Sequence, residues 1–126
     1  MNVGEAIACL DELRPGNRVR LATKYRWLRE VDGMLRQRFF RRSGASWENA
    51  GADLAPEEDL PDETELLAPA PFDALYPHYL CAMTDAALGE TDRYSGEQAQ
   101  YNSILSEMAV WLRREYSSDK RVQWRW

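Results

Sequence analysis

Residues 71–94 read PFDALYPHYLCAMTDAALGETDRY. Apolar side chains recur there every three or four positions, as on one face of an α-helix: Phe72, Leu75, Tyr76, Tyr79, Leu80, Met83 and Ala87. Ala70-Pro71 marks the predicted helix start, because proline suits a first turn, and Asp73 complements the positive end of the helix dipole. Gly89 predicts the helix end, since glycine accepts the left-handed conformation found at helix termini.

A further helix is predicted directly after this one. Thr91 or Ser95 can cap it, and it extends to about Tyr116. Its apolar seam is nearly heptad-like, with Tyr94, Tyr101, Leu105, Met108, Leu112 and Tyr116. The short Gly89-Glu90 link predicts that the two helices form an antiparallel hairpin.

Two helices are predicted upstream of residue 43. The first spans Val3 to Leu13, with Asn2 and Glu5 spaced as a capping box, and Pro15-Gly16 ends it. The second spans Arg18 to about Arg41, with Asn17 as its cap. Its apolar stripe comprises Leu21, Tyr25, Leu28, Val31, Leu35 and Phe39, and Trp27 and Met34 widen it.

Residues 43–70 form a long acidic loop without helical period, and such loops are usually functional or disordered. Leu66-Leu67 could dock there as a short extended piece. Residues 117–126 read as a polar tail. The prediction is therefore an all-α fold: a small bundle of about four helices in residues 1–116, followed by the tail.

The bulk composition limits the function classes. A chain of 126 residues with 44% apolar types makes one domain with a modest core. No apolar stretch is long enough to span a bilayer, and the first residues lack a signal-peptide pattern, so we expect a cytoplasmic protein without membrane contact. Cys9 and Cys81 lie in apolar helical patterns, which is typical of small buried thiols.

No residue pattern indicates catalysis, a metal or a cofactor. His78 has no Ser, Cys or Asp at motif spacing, so we interpret it as a surface or partly packed histidine. The acidic run from Asp53 to Glu65 lacks the alternate oxygens and central glycine of a calcium loop. The sequence favours a protein that is not an enzyme.

Charge is strongly divided along the chain despite a net charge of −5. Ten basic residues lie between Arg14 and Arg42 against two acidic ones, and eight acidic residues lie between Glu48 and Glu65 with no basic one. Opposed charge zones steer association with partners or with further copies. The candidate partner-binding residues in these zones are Arg26, Arg29, Arg36, Glu57, Glu58 and Asp59.

Arg18, Arg29 and Arg36, with Arg26 alongside, are predicted on the face of the second helix opposite the apolar stripe. They could follow phosphates, but an amphipathic helix needs polar residues outward, and the acidic total disfavours tight DNA binding. In the tail, Trp124, Arg125 and Trp126 are residue types enriched at interface hot spots, and we predict that they anchor in a partner or neighbouring subunit. The alternatives are a disordered tail or an added edge strand.

Two segments resemble the small head–tail connector (adaptor, or neck) proteins of tailed bacteriophages and prophages. The first comprises Lys24-Tyr25-Arg26-Trp27-Leu28 and Val31-Asp32-Gly33. The second comprises Leu66-Leu67, Pro69, Pro71-Phe72-Asp73, Leu75-Tyr76, Tyr79-Leu80, Asp85, Ala87, Gly89-Glu90, Arg93-Tyr94 and Tyr101-Asn102. Ser95-Gly96 departs from the asparagines expected there, which affects the predicted start of the fourth helix.

The resemblance implies a structural protein of the virion neck, made in the cytoplasm of a bacterial host. Such subunits form a homo-oligomeric ring beneath the portal protein and bind a further neck or tail protein. DNA would be a partner only as the passing genome, and an acidic channel lining at Glu57-Glu58-Asp59 would repel its phosphates. The alternatives are a small DNA-binding regulator that uses the second helix, or an adaptor of a bacterial complex.

Overall fold

The computed structural model describes residues 1–40, 54 and 60–116. Four α-helices lie in these residues: α1 Val3–Leu13, α2 Leu21–Leu35, α3 Leu75–Leu88 and α4 Thr91–Tyr116. A π-helical turn, Arg36–Phe40, continues α2, and a 3-10 turn, Phe72–Ala74, leads into α3. Within the described residues the one β pairing is an isolated antiparallel bridge between Asn2 and Glu65. The predicted all-α bundle is confirmed.

Helix α1 begins at the predicted capping box. The Asn2 side chain accepts a hydrogen bond from the Glu5 backbone N–H at 2.9 Å, and the Glu5 carboxylate accepts one from the Asn2 N–H at 3.0 Å. Each bond satisfies a backbone donor near the helix start. After Leu13 the chain turns through Gly16, whose φ of 76° is readily adopted by glycine.

Helix α2 begins later than predicted, at Leu21 and not at Arg18. The Asn17 side chain closes the preceding turn instead of capping the helix: its amide donates to Arg14 O at 2.9 Å, and its oxygen accepts from the Val19 N–H at 3.3 Å. Arg20 therefore occupies the N-cap position, without a side-chain hydrogen bond. The predicted helix end at Arg41 lies outside the described residues.

The α3–α4 hairpin forms as predicted and is the most extensive helix pairing of the described bundle. Gly89 ends α3 with a φ of 75°, and the Glu90 N–H donates to Asp85 O at 2.9 Å. Helix α4 has Thr91 as its first residue, so Ser95 lies inside it. The predicted start of α3 at Ala70-Pro71 is too early, because the Phe72–Ala74 turn precedes the α-helix proper.

Part of the predicted loop belongs to the core. Leu60, Leu66, Leu67 and Ala68 are buried beside apolar residues of all four helices, and the docking of Leu66-Leu67 is confirmed. Gly4 permits the close approach of this segment to α1, since a Cβ at Gly4 would lie 2.9 Å from the Asp62 Cβ.

Trp27 packs in the core as predicted, and Trp111 of the hairpin packs against the core. Trp27 is buried, and Trp111 is half-buried with its ring 5.4 Å from that of Phe72. Three residues of the predicted α4 seam are buried, namely Tyr101, Met108 and Leu112. The Tyr116 side chain lies outside the part of the chain that the structure describes. None of the described helices combines the length and the hydropathy needed to cross a bilayer.

Candidate functional site

A buried carboxylate, Asp32 of α2, holds three parts of the fold together. Its Oδ1 accepts hydrogen bonds from the Tyr76 hydroxyl of α3 at 2.8 Å and from the Leu67 backbone N–H at 3.0 Å. The Tyr76 hydroxyl in turn accepts a hydrogen bond from the Ala68 N–H at 2.8 Å. Asp32 is 1% exposed and Tyr76 is fully buried. We call these groups, with Arg36, the Asp32 hub.

Arg36 supplies the positive charge of the Asp32 hub. Its Nη2 lies 3.2 Å from Asp32 Oδ2, one helical turn along the chain, and the side chain is 4% exposed. Burial and the adjacent Asp32 carboxylate hold the pKa of Tyr76 well above its ordinary value, so its hydroxyl stays protonated and donates. A buried charge needs such a set of partners, because desolvation without them is strongly unfavourable.

A second ionic cluster joins the end of α1 to the hairpin. The Arg14 guanidinium donates two parallel hydrogen bonds to the Asp85 carboxylate, both at 2.8 Å, and reaches Glu97 of α4 at 3.2 Å. The hydrogen bond to Asp85 raises the pKa of Arg14 above its ordinary value. His78 Nδ1 lies 2.6 Å from the other Glu97 oxygen, Oε2, so the predicted partly packed histidine is confirmed. We call these four residues the Arg14 cluster.

The chemistry of the Arg14 cluster is that of an ion-pair network. Asp85 is engaged by the guanidinium, and Glu97 is shared between Arg14 and His78. Nearby, burial raises the pKa of the Cys81 thiol to about 11, so the nucleophilic thiolate is scarce at neutral pH. Cys81 is the predicted buried thiol, whereas Cys9 is only half-buried.

The predicted arginine surface of the second helix is only partly correct. Arg26 is exposed and lies 3.9 Å from Glu30 on the next turn, whereas Arg29 is half-buried. The placement of Arg36 on the exposed face is wrong, because its guanidinium is buried against Asp32. The described part of the helix therefore lacks the continuous exposed arginine row that following phosphates would require.

Two groups of predicted partner-binding residues lie outside the described residues. They are Glu57, Glu58 and Asp59 of the acidic loop, and Trp124, Arg125 and Trp126 of the tail. Their predicted roles in partner contact stay predictions.

An open apolar groove, which the sequence did not predict, lies where α1 ends, α2 begins and α3 ends. Its volume is about 550 Å³. One side is the turn from Gly16 to Arg20 with Thr23 and Trp27, and the other is Thr84, Ala87 and Leu88. Leu88 is 66% exposed. We call this feature the turn groove.

A second cavity of about 490 Å³ adjoins the turn groove and shares Gly16, Asn17 and Leu88 with it. Arg93 of α4 lines this cavity. The sequence signal was available: Leu88 occupies a position off the predicted α3 stripe, and Arg18 and Arg20 flank Val19 beside the Pro15-Gly16 turn. Only the fold shows that these segments meet.

Among the described residues, no group of three or more His, Cys, Asp or Glu side chains is arranged to hold a metal ion. Known proteins add no assignment, because no protein-family model, curated protein or solved structure gives a significant match to the chain.

Proposed function

We propose that this chain is a structural protein of a tailed bacteriophage or prophage, a head–tail connector subunit. In this proposal, copies assemble into a ring beneath the portal protein, bridge the capsid to the tail and bind a further neck or tail protein. The protein acts in the virion neck through its surfaces, and DNA passes through the ring as the genome.

One observation carries the proposal: the two sequence segments that resemble connector proteins meet in the Asp32 hub. Asp32 belongs to the first segment, and Leu67 and Tyr76 belong to the second. They are 35 and 44 residues from Asp32 along the chain. Three residues of the resemblance thus jointly position α2, α3 and the 66–68 segment, as a shared fold requires.

Charge distribution supplies a second argument for assembly. The exposed acidic side chains Asp62, Glu63 and Glu65 lie beside the start of α1, where Gly4 N–H donates to Asp62 O at 3.0 Å. The exposed Arg18 and Arg20 follow the end of α1. A head-to-tail ring contact needs two different, complementary patches on each subunit, and opposite charges at the two ends of one helix are suited to that arrangement.

Size measurement tests the proposal. Purified protein is examined by light scattering and negative-stain electron microscopy, alone, with a co-expressed portal protein of the same phage or prophage, and with duplex DNA at moderate salt. We expect ring-shaped particles, or a stable complex with the portal. A stable small dimer that binds DNA in a salt-sensitive manner, and no portal complex, would refute the connector function and favour a DNA-binding regulator.

The tail has its own test within this proposal. Deleting the residues after Ser118 should leave the helical circular dichroism signal nearly unchanged, because the described core lies within residues 1–112. Portal capture should fall, since two tryptophans and an arginine are lost from the proposed anchor. A large loss of helical signal would show that the tail belongs to the core.

A further inference from the structure

The turn groove combines an apolar surface with unpaired positive charge. Val19 packs partly against the core, Trp27 is buried, and Ala87 and Leu88 are exposed on the opposite wall. Arg18 and Arg20 are exposed, and neither forms an ion pair with a described carboxylate. A site of this composition favours a ligand that has apolar and negatively charged groups side by side.

The apolar surface extends beyond the groove itself. Leu13 and Leu21 are each 50% exposed, and with Leu88 they are three of the four large apolar side chains with substantial exposure in the described chain. Leu13 lines the adjoining cavity, and Leu21 directly follows Arg20. Exposed leucines gathered at one end of a small domain are typical of a protein-binding surface.

In its described residues, a second copy supplies only part of such a ligand. Its exposed acidic corner, formed by Asp62, Glu63 and Glu65, carries no large exposed apolar side chain. The remaining large exposed apolar residue, Val110 of α4, is a single anchor with one exposed carboxylate, Glu107, one helical turn away. Nucleic acid is also poorly matched, since a phosphate backbone gains nothing from the walls formed by Val19, Ala87 and Leu88.

We infer that the turn groove docks an acidic segment of a partner protein that inserts leucine-like or aromatic side chains. The apolar anchors occupy the groove, whose volume lies within the range of about 300–1,000 Å³ typical of binding clefts. The carboxylates of the segment face Arg18 and Arg20, and Arg93 extends the positive rim. This inference goes beyond the connector function, and a segment bound at Arg18 and Arg20 would compete with the ring contact proposed there.

A binding assay with a defined probe tests the inference. The fluorescein-labelled peptide acetyl-ELEELLEELE-amide presents leucines at helical spacing among glutamates, and its binding to the full chain is followed by fluorescence anisotropy. Two control peptides carry serine in place of leucine or lysine in place of glutamate. We expect both controls to bind at least about tenfold more weakly, because each lacks one of the two required properties.

Matched variants locate the binding surface. The double variant Arg18→Gln/Arg20→Gln should weaken binding roughly three- to tenfold, the range expected for losing two exposed charge pairs. Leu88→Gln should weaken it by a similar factor through loss of apolar contact. The controls Arg113→Gln/Arg114→Gln and Val110→Gln change exposed residues of α4 and should leave the affinity within about twofold.

Several results would overturn the inference. One is the absence of peptide binding up to about 1 mM, and another is equal binding of the serine or lysine peptide. A third is that the wild-type protein binds duplex DNA but not the peptide, and that the Arg18→Gln/Arg20→Gln variant no longer binds the DNA. This result would assign the surface to nucleic acid. Self-association that Leu88→Gln abolishes and the peptide does not inhibit would assign it to a second copy. Circular dichroism verifies that each variant is folded.

Discussion

Replacing Tyr76 by phenylalanine removes one oxygen atom from the Asp32 hub and leaves the ring in place. That oxygen donates to Asp32 Oδ1 at 2.8 Å and accepts from the Ala68 N–H at 2.8 Å. The site is closed to water, since Tyr76 is fully buried and Ala68 is 2% exposed. The variant therefore leaves a buried N–H without its acceptor and a buried carboxylate with one donor fewer.

The magnitude follows from these two losses. A hydrogen bond to a charged group contributes about 1.5–3 kcal/mol, and an unsatisfied buried donor costs about 1–3 kcal/mol. Local relaxation recovers part of the sum, so we expect Tyr76→Phe to lower the free energy of unfolding by about 3 kcal/mol. For a chain of this size that corresponds to a fall in Tm of about 10 °C.

The assay is urea unfolding followed by circular dichroism, with a thermal scan beside it. Tyr79→Phe is the matched control, since it removes the same atom from the same helix. Its hydroxyl lies 3.4 Å from Glu30 Oε2 at an exposed site, which is longer than an ordinary O–H···O hydrogen bond. The control should therefore change the free energy of unfolding by about 0.5 kcal/mol or less.

Equal destabilisation by the two variants would refute the reasoning, because the buried hydrogen bonds would then contribute no more than the exposed one. A double-mutant cycle sharpens the test by combining Tyr76→Phe with Asp32→Asn. We expect a coupling energy of at least about 1 kcal/mol, the size found for residues in one hydrogen-bond network. Because asparagine keeps an acceptor oxygen, the coupling measures how far the Asp32 charge strengthens the hydrogen bond, and additive losses would show that the charge does not strengthen it.

Three further predictions concern the rest of the bundle. Arg14→Gln should destabilise the protein by about 3 kcal/mol in urea unfolding, because the buried Asp85 carboxylate loses its guanidinium partner. An Arg14→Met/Asp85→Leu variant should recover much of this loss, and failure to recover it would contradict the ion-pair explanation. Gly89→Ala should lower the free energy of unfolding by about 1 kcal/mol, because φ is 75° there. Gly96→Ala in α4, where a Cβ meets open space, should raise it by about 0.5–1 kcal/mol. The same sign for both changes would contradict the backbone argument. Burial raises the pKa of Cys81 from 9.0 to about 11, so the thiol loses its proton at lower pH in the unfolded chain than in the folded one. The contribution of the protonated thiol to the free energy of unfolding is complete below pH 9.0 and is lost as pH rises to about 11. Urea midpoints measured across this range should fall less in Cys81→Ala than in the wild type, and parallel curves would exclude the thiol as a cause.

Local features were readable from the sequence because their causes are local. The Asn2 and Glu5 capping box, the left-handed Gly89 and the apolar period of the helices each depend on residues within a few positions of one another. The apolar pair Leu66-Leu67 also predicted its own burial, since few residues of that polar stretch could supply the core. These patterns determined the fold class and the helix order.

Tertiary structure alone decided which polar side chains are buried and which surfaces meet. Helical period gives the angle of Arg36 around its own helix but not that Asp32, Tyr76 and the 66–68 segment would enclose its charge. Arg14 and Asp85 are 71 residues apart, so no local spacing could pair them. Likewise, the turn groove exists because the ends of α1 and α3 and the start of α2 converge. Buried charges and clefts depend on which residues lie across the interface between helices, and the sequence of one helix does not specify which residues pack against it.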